Sequence, residues 1–227
     1  MGAAPKLPAE SNRRAQVVFD YDGEIIFQPK PGENLDALYE RICKAYEDRS
    51  KIEQDEKGNV HVTAPTGGES GTQNADLITD LNMWARRDKR GKVFDSSTTF
   101  LFTKTVKRVP DAAWVSKERL FALPYSSRRK YLPLVPEFVI EIKSPSDSKK
   151  RLERKMRKYL DYGVELGWLI DPDKREVKIY TPTEINTITG VSKLRASDPV
   201  KGFTLNLRLI WLGLHDEPKS QPAKSMK

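Results

Sequence analysis

The apolar positions of this chain fall into three helical stripes separated by short strand-like alternations. Leu35, Leu38, Ile42 and Tyr46 recur at the spacing of one helix face behind Asn34, a capping residue, which predicts a first helix over 35–48. KIEQ and NVHVTA, joined by DEKG, predict a hairpin. The glycine-rich turn APTGGESG leads into a second helix over about 73–88, striped by Leu77, Ile78, Leu81, Trp84 and Ala85 and closed by Gly91. Strands are expected at 93–95, 99–103 and 112–115, with the basic cluster 128–130 in a loop. In the strand over 137–143, Phe138, Ile140 and Ile142 point one way and Val139, Glu141 and Lys143 the other. After the SPSDS turn a third helix runs to about 162 and stops at Gly163. Residues 168–171 and 176–180 predict a hairpin around PDKR, and 200–214 an extra strand or packing against the core. The four tryptophans, 84, 114, 168 and 211, read as core. Helices and strands mix without strict alternation, so the fold class is α/β or α+β around a mixed sheet.

The ends read differently. Residues 1–16 and the Pro/Lys/Ser-rich 216–227 carry no apolar periodicity and are expected to be disordered, leaving one domain over 17–215 with a core at about 35–180. No run approaches the roughly 18 apolar residues of a membrane helix. The polar N-terminal stretch does not read as a secretory signal, and Lys6 stands where a myristoylation motif wants Ser or Thr. Cys43 is the sole cysteine, which excludes an internal disulfide and a cysteine zinc cluster, and two histidines are too few for a multi-histidine metal site.

The charge changes the picture once it is located. Of the net +8, residues 101–160 carry +10, from 16 Lys/Arg against 6 Asp/Glu, and the remainder carries −2. A localised basic surface suits a polyanion. Charge alone does not separate that reading from a solvated face.

Candidate chemistry begins at the 137–143 strand, where a period of two places Glu141 and Lys143 side by side. A salt-bridged outer strand face would look the same. Asp111, at the start of the apolar AAWV, alters the balance: if that strand pairs beside Glu141, two carboxylates and a main-chain carbonyl supply the hard oxygens that suit Mg²⁺. Such a metal polarises a phosphodiester and acidifies a bound water. Lys143 would orient or deprotonate that water. On the third helix Lys155 and Tyr159 are i,i+4 neighbours at the margin of the buried stripe, which lets Lys155 reach toward a phosphate. Lys149, Lys150, Arg151, Arg154 and Lys158 on the same helix are candidate backbone contacts or solvated charges. Glu69, in the TGGESG turn, is either a helix-dipole contact or a further acidic member of the site, and Glu53 is a weaker candidate of the same kind.

VPDAAWV, EFVIEIKSPSD and KMRKYLDYGVELGWLIDPDKREVKIY, with the earlier GNVHVTAPTGGESG and GKVFDSSTTF, resemble the Uma-two family of restriction endonucleases in the PD-(D/E)XK nuclease superfamily, over about 35–180. The resemblance implies a central mixed sheet flanked by helices, a site that uses Mg²⁺ or Mn²⁺, and hydrolysis of nucleic-acid phosphodiesters in a bacterial cytoplasm. By it, Asp111 matches the PD aspartate, Glu141 the (D/E) and Lys143 the K, although many family members carry an apolar residue at that last position. Lys155 with Tyr159 resembles the helix motif of RecB-like nucleases, and Glu69 matches the acidic residue of the first core helix.

The leading expectation is therefore a metal-dependent DNA endonuclease. Asp111, Glu141 and the carbonyl of Ile142 would hold the metal, Lys143 would handle water, Lys155 would assist at phosphate, and the basic helix would bind double-stranded DNA. A homodimer would cut both strands most simply. The rivals are a nuclease-like fold without catalysis, acting as a nucleic-acid or protein-binding module, and a plain structural domain with a charged face.

Overall fold

Two six-stranded β-sheets and one two-stranded sheet, rather than a single mixed sheet, organise the described residues. The computed structural model describes residues 15–19, 24–46 and 51–215; of the stretch 1–16 expected to be disordered, residues 15 and 16 instead belong to a strand paired in a sheet, while 1–14 and the tail 216–227 lie outside the described residues. The elements run β1 (Ala15–Phe19), β2 (Ile25–Pro29), α1 (Leu35–Ala45), β3 (Lys51–Gln54), β4 (Val60–Thr63), α2 (Gly68–Asp88), β5 (Gly91–Asp95), β6 (Phe100–Leu101), β7 (Lys107–Arg108), β8 (Ala112–Ser116), α3 (Lys117–Ala122) and α4 (Tyr125–Arg128). There follow β9 (Phe138–Ile142), α5 (Lys149–Asp161), β10 (Leu166–Asp171), β11 (Glu176–Tyr180), β12 (Ile185–Thr189), β13 (Lys193–Arg195), β14 (Thr204–Asn206) and α6 (Leu207–Leu212).

The larger sheet has the order β12-β11-β10-β9-β8-β5. Its one parallel pair, β9 with β10, is bridged by α5, as a parallel neighbour requires. All five residues of β9 are buried. Phe138, Ile140 and Ile142 pack with Leu77, Trp84 and Trp168 on one face. Val139 packs with Leu152, Met156 and Tyr159 of α5 on the other. The period-two assignment of faces thus holds, and it leaves Glu141 a carboxylate on a fully covered face, where burial is costly without partners.

The second sheet, β1-β2-β4-β3-β7-β6, is antiparallel throughout and has its own core of Phe27, Leu38, Tyr39, Ile42, Val60 and Val62 against α1. The sequence pattern pointed to its central hairpin, β3 with β4, but not to a separate sheet, because β6 and β7 are only two residues long and carry no periodicity.

Element ends also moved. The second helix starts at Gly68, five residues before the expected start at 73, so Glu69 lies in its first turn rather than in a loop. Lys89, with φ 65, ends that helix, not Gly91. Gly91 instead begins β5, where any Cβ would collide with the Trp114 ring. The 128–130 cluster straddles the end of the short helix α4. The 200–214 segment becomes β14 and α6, and β12 and β13 were not foreseen. Gly163 does end α5, with φ +100, as expected of a C-terminal glycine.

Candidate active site

Asp111 immediately precedes β8, and Glu141 is the fourth residue of β9. The antiparallel register sets Ala112 opposite Ile140, which brings both carboxylates to the same end of the sheet. The Ile142 amide N–H donates to Asp111 Oδ2 at 2.8 Å. Glu141 Oε1 accepts from the Tyr159 hydroxyl at 2.7 Å and lies 2.9 Å from Lys155 Nζ. The i,i+4 pair on α5 therefore grips one carboxylate oxygen from one helix face.

Two residues of the second sheet complete the cluster. Lys51 Nζ donates to Asp111 Oδ1 at 2.9 Å and stands 3.6 Å from Glu141 Oε2. Glu53 Oε1 accepts from the Val109 amide at 2.7 Å and pairs with Lys155 Nζ at 2.9 Å, with Arg108 at 4.0 Å from its other oxygen. Three carboxylates and two ammonium groups thus alternate in space. Burial pushes the Glu53 carboxyl up, but Lys155, Arg108 and Lys51 outweigh it and hold its pKa at about 2. Burial opposes the charge on Lys51, yet Asp111, Glu141 and Glu53 raise its pKa nonetheless. For Glu141 burial wins, with Asp111 and Glu53 adding to it against the lysines, and its pKa is raised.

The cluster lines a cavity of about 640 Å³ between β3 and β4, the start of α2 and the first half of α5. A second charged group sits in the same wall. His61 places one ring nitrogen 3.1 Å from buried Glu24 and the other 3.1 Å from Asp55. Arg151 reaches Glu24 at 2.6 Å and Asp147 at 3.1 Å.

The structure does not bring every expected residue to this point. Lys143 was placed beside Glu141 by strand alternation, but β9 ends at Ile142 and the Lys143 ammonium turns instead to the Ser144 carbonyl at 3.1 Å and Asp173 at 3.5 Å. Glu69 lines the cavity rim, half exposed, near Gly213 and His215 rather than bonded to the carboxylate cluster. The basic face of α5 is largely neutralised within the molecule: Lys149 pairs with Glu176 at 2.7 Å, Arg151 with Glu24, and Lys158 with Glu56 at 3.8 Å. Arg154 and Lys150 carry no acidic partner among the described residues. Nor do Arg128 and Arg129, whose guanidinium groups lie 5.0 and 6.0 Å from the Phe121 and Tyr125 rings respectively.

Lys51 was missed and Glu53 underrated, although one signal was available. The alternation that pairs Glu141 with Lys143 also pairs Lys51 with Glu53 on a single face of KIEQ, the half-buried one.

Among the described residues no three His, Cys, Asp and Glu side chains are arranged to hold a metal by themselves. The Asp111–Glu141 pair nonetheless fits a divalent cation by donor chemistry. Each contributes an oxygen to one shared point that already attracts a cation, the Lys51 ammonium, and two carboxylates completed by waters are the usual protein share of a Mg²⁺ shell. No helix is long and apolar enough to cross a membrane.

Residues 36–208 match the family Uma2, described as "Putative restriction endonuclease". The match runs past residue 180 and takes in β12 to β14, which no motif had covered. A crystal structure described as a "putative nuclease belonging to DUF820" from Anabaena variabilis ATCC 29413 superposes with a TM-score of 0.58 at 21% identity, over 70% of this chain and 89% of that one, a likeness of fold. No curated protein matches the chain.

Proposed function

The chain belongs to the Uma2 family of restriction-endonuclease-like proteins, and on that footing we propose that it is a metal-dependent endonuclease hydrolysing DNA phosphodiester bonds at Asp111 and Glu141. The observation that carries this reading is the convergence of those two carboxylates on one cation position at the floor of a cavity.

Asp111 and Glu141, with the Ile142 carbonyl, would hold Mg²⁺ or Mn²⁺, which when bound polarises the phosphate and acidifies water. The chain's own groups do the rest. Tyr159 and Lys155 fix Glu141, and the Ile142 amide fixes Asp111, so neither carboxylate must reorganise as charge develops. Lys155 stands beside Glu141 and offers a phosphate oxygen its ammonium, aimed by Glu53. Lys150, Arg154, Arg128 and Arg129, with no acidic partner among the described residues, are cations available to the DNA backbone.

Plasmid nicking at low salt, with Mg²⁺ or Mn²⁺ against EDTA, tests the reading. Wild type should nick only with metal, and Asp111→Ala should lose nicking while keeping salt-sensitive DNA binding. An Asp111→Ala protein that cuts like wild type would sink the assignment. A second reading, a nuclease fold that binds nucleic acid without cutting it, draws on the turning away of Lys143 and on the lysine already paired with each carboxylate. It predicts binding indifferent to Mg²⁺ and no nicking by any variant.

A further inference from the structure

We propose that Lys51 is a tethered cation that occupies the metal position of this site, and that a divalent ion binds Asp111 and Glu141 by displacing it. The inference rests on the reading of Asp111 and Glu141 as metal ligands.

The argument is made oxygen by oxygen. Asp111 Oδ2 is committed to the Ile142 amide, and Glu141 Oε1 to Tyr159 and Lys155. Each carboxylate therefore has one oxygen anchored to the fold. The other two, Asp111 Oδ1 and Glu141 Oε2, face the same ammonium, at 2.9 and 3.6 Å. Those two oxygens are the ones a metal would use, because taking them breaks no anchoring bond. Two cations do not share one such point, so the ammonium must leave when the metal enters.

Lys51 is built to leave. It is the first residue of β3, so its four-carbon stem extends from a strand end, and its backbone partner Thr63 lies on the outer register of the hairpin. Its side chain is 21% exposed, against 3% for Glu141, so the ammonium has a path into the cavity. Lys155 is held more closely, its ammonium 2.9 Å from both Glu53 and Glu141 against 2.9 and 3.6 Å for the two carboxylates at Lys51, and it sits on the anchored Glu141 Oε1 rather than at the shared point. Once displaced, Lys51 remains on the cavity wall beside the carboxylates, the place from which an ammonium meets an incoming phosphate. Lys143, on Asp173, is in no position to take that part.

Mn²⁺ binding, measured by calorimetry on wild type, Lys51→Met, Lys143→Met and Asp111→Asn, tests the competition without reference to cleavage. Lys51→Met should bind Mn²⁺ about tenfold or more tightly than wild type, with Lys143→Met unchanged and Asp111→Asn losing the site. Equal or weaker binding by Lys51→Met overturns the inference and leaves the metal site standing. No binding by wild type and Lys51→Met alike overturns both. Because the methionine variant removes a cation from between two carboxylates and risks misfolding, wild type supplies a second readout. Acetylation of Lys51 by acetic anhydride, followed by mass spectrometry, should be slow without Mn²⁺ and several-fold faster with it. Unchanged reactivity rejects the displacement.

Discussion

Tyr159 of α5 donates its hydroxyl to Glu141 of β9 at 2.7 Å, and both side chains are sealed from water. That bond joins the crossover helix to the strand it covers and removes one of the two Glu141 oxygens from any ligand's reach. Burial and the neighbouring Glu141 and Glu53 raise the Tyr159 pKa far above the usual range, so the hydroxyl stays a donor.

Tyr159→Phe keeps the packing against Phe102 and deletes only the hydroxyl. A hydrogen bond to a charged, buried acceptor contributes about 1.5–3 kcal/mol, so urea unfolding should show a loss in that range. A loss below about 0.5 kcal/mol would mean that Lys155 alone satisfies Glu141.

His61 makes stability depend on pH on the alkaline side. Burial lowers its pKa, but the bonds to Asp55 and Glu24 outweigh this and raise it to about 9. A raised folded-state pKa means the contribution is complete below the unfolded value of about 6.5 and disappears as pH climbs through about 9. Burial pushes the Asp55 carboxyl up, but His61 and the Asn59 side chain and amide outweigh it and hold it at about 2, so at the acid end its contribution is complete above about 4 and is lost as pH falls through 2. Unfolding free energies at pH 6, 7.5 and 9 should fall by on the order of 2 kcal/mol across the series, and His61→Gln should flatten it. An equal slope in His61→Gln would place the titration elsewhere.

DNA binding should distinguish neutralised from unneutralised cations. Replacing Arg128 and Arg129 with glutamine removes two charges that have no acidic partner among the described residues, and the slope of log affinity against log salt should shrink by about 1–2. Lys149→Gln, which removes a charge already spent on Glu176, should change the slope far less. Fluorescence anisotropy over a salt series reads both, and equal effects would argue that the α5 ion pairs open on DNA.

Much of the main sheet was legible because its cues are local. The alternation of Phe138 to Ile142, the stripe of α5 and the stop at Gly163 are set by neighbours within a few residues, where strand and helix periods operate. The α2 start was misplaced for the same reason: GESGT has no apolar stripe to announce it.

The sequence by itself singled out the two carboxylates: Glu141 by the alternation of its strand and Asp111 by its place just before the apolar AAWV, although their pairing was a condition that only the register of β8 on β9 met. It also determined the Lys155–Tyr159 pair, since i,i+4 spacing on a helix admits one arrangement. Only the tertiary structure decided which lysine meets those carboxylates. Lys51 lies 60 residues from Asp111 and arrives on a different sheet, and no period within the chain encodes how two sheets pack. Lys143 is two residues from Glu141 and yet departs, because the strand ends between them and Asp173 offers its flexible side chain an opposite charge. Strand geometry constrains where a Cβ points; where a long side chain's charge comes to rest depends on the charges that the fold assembles around it.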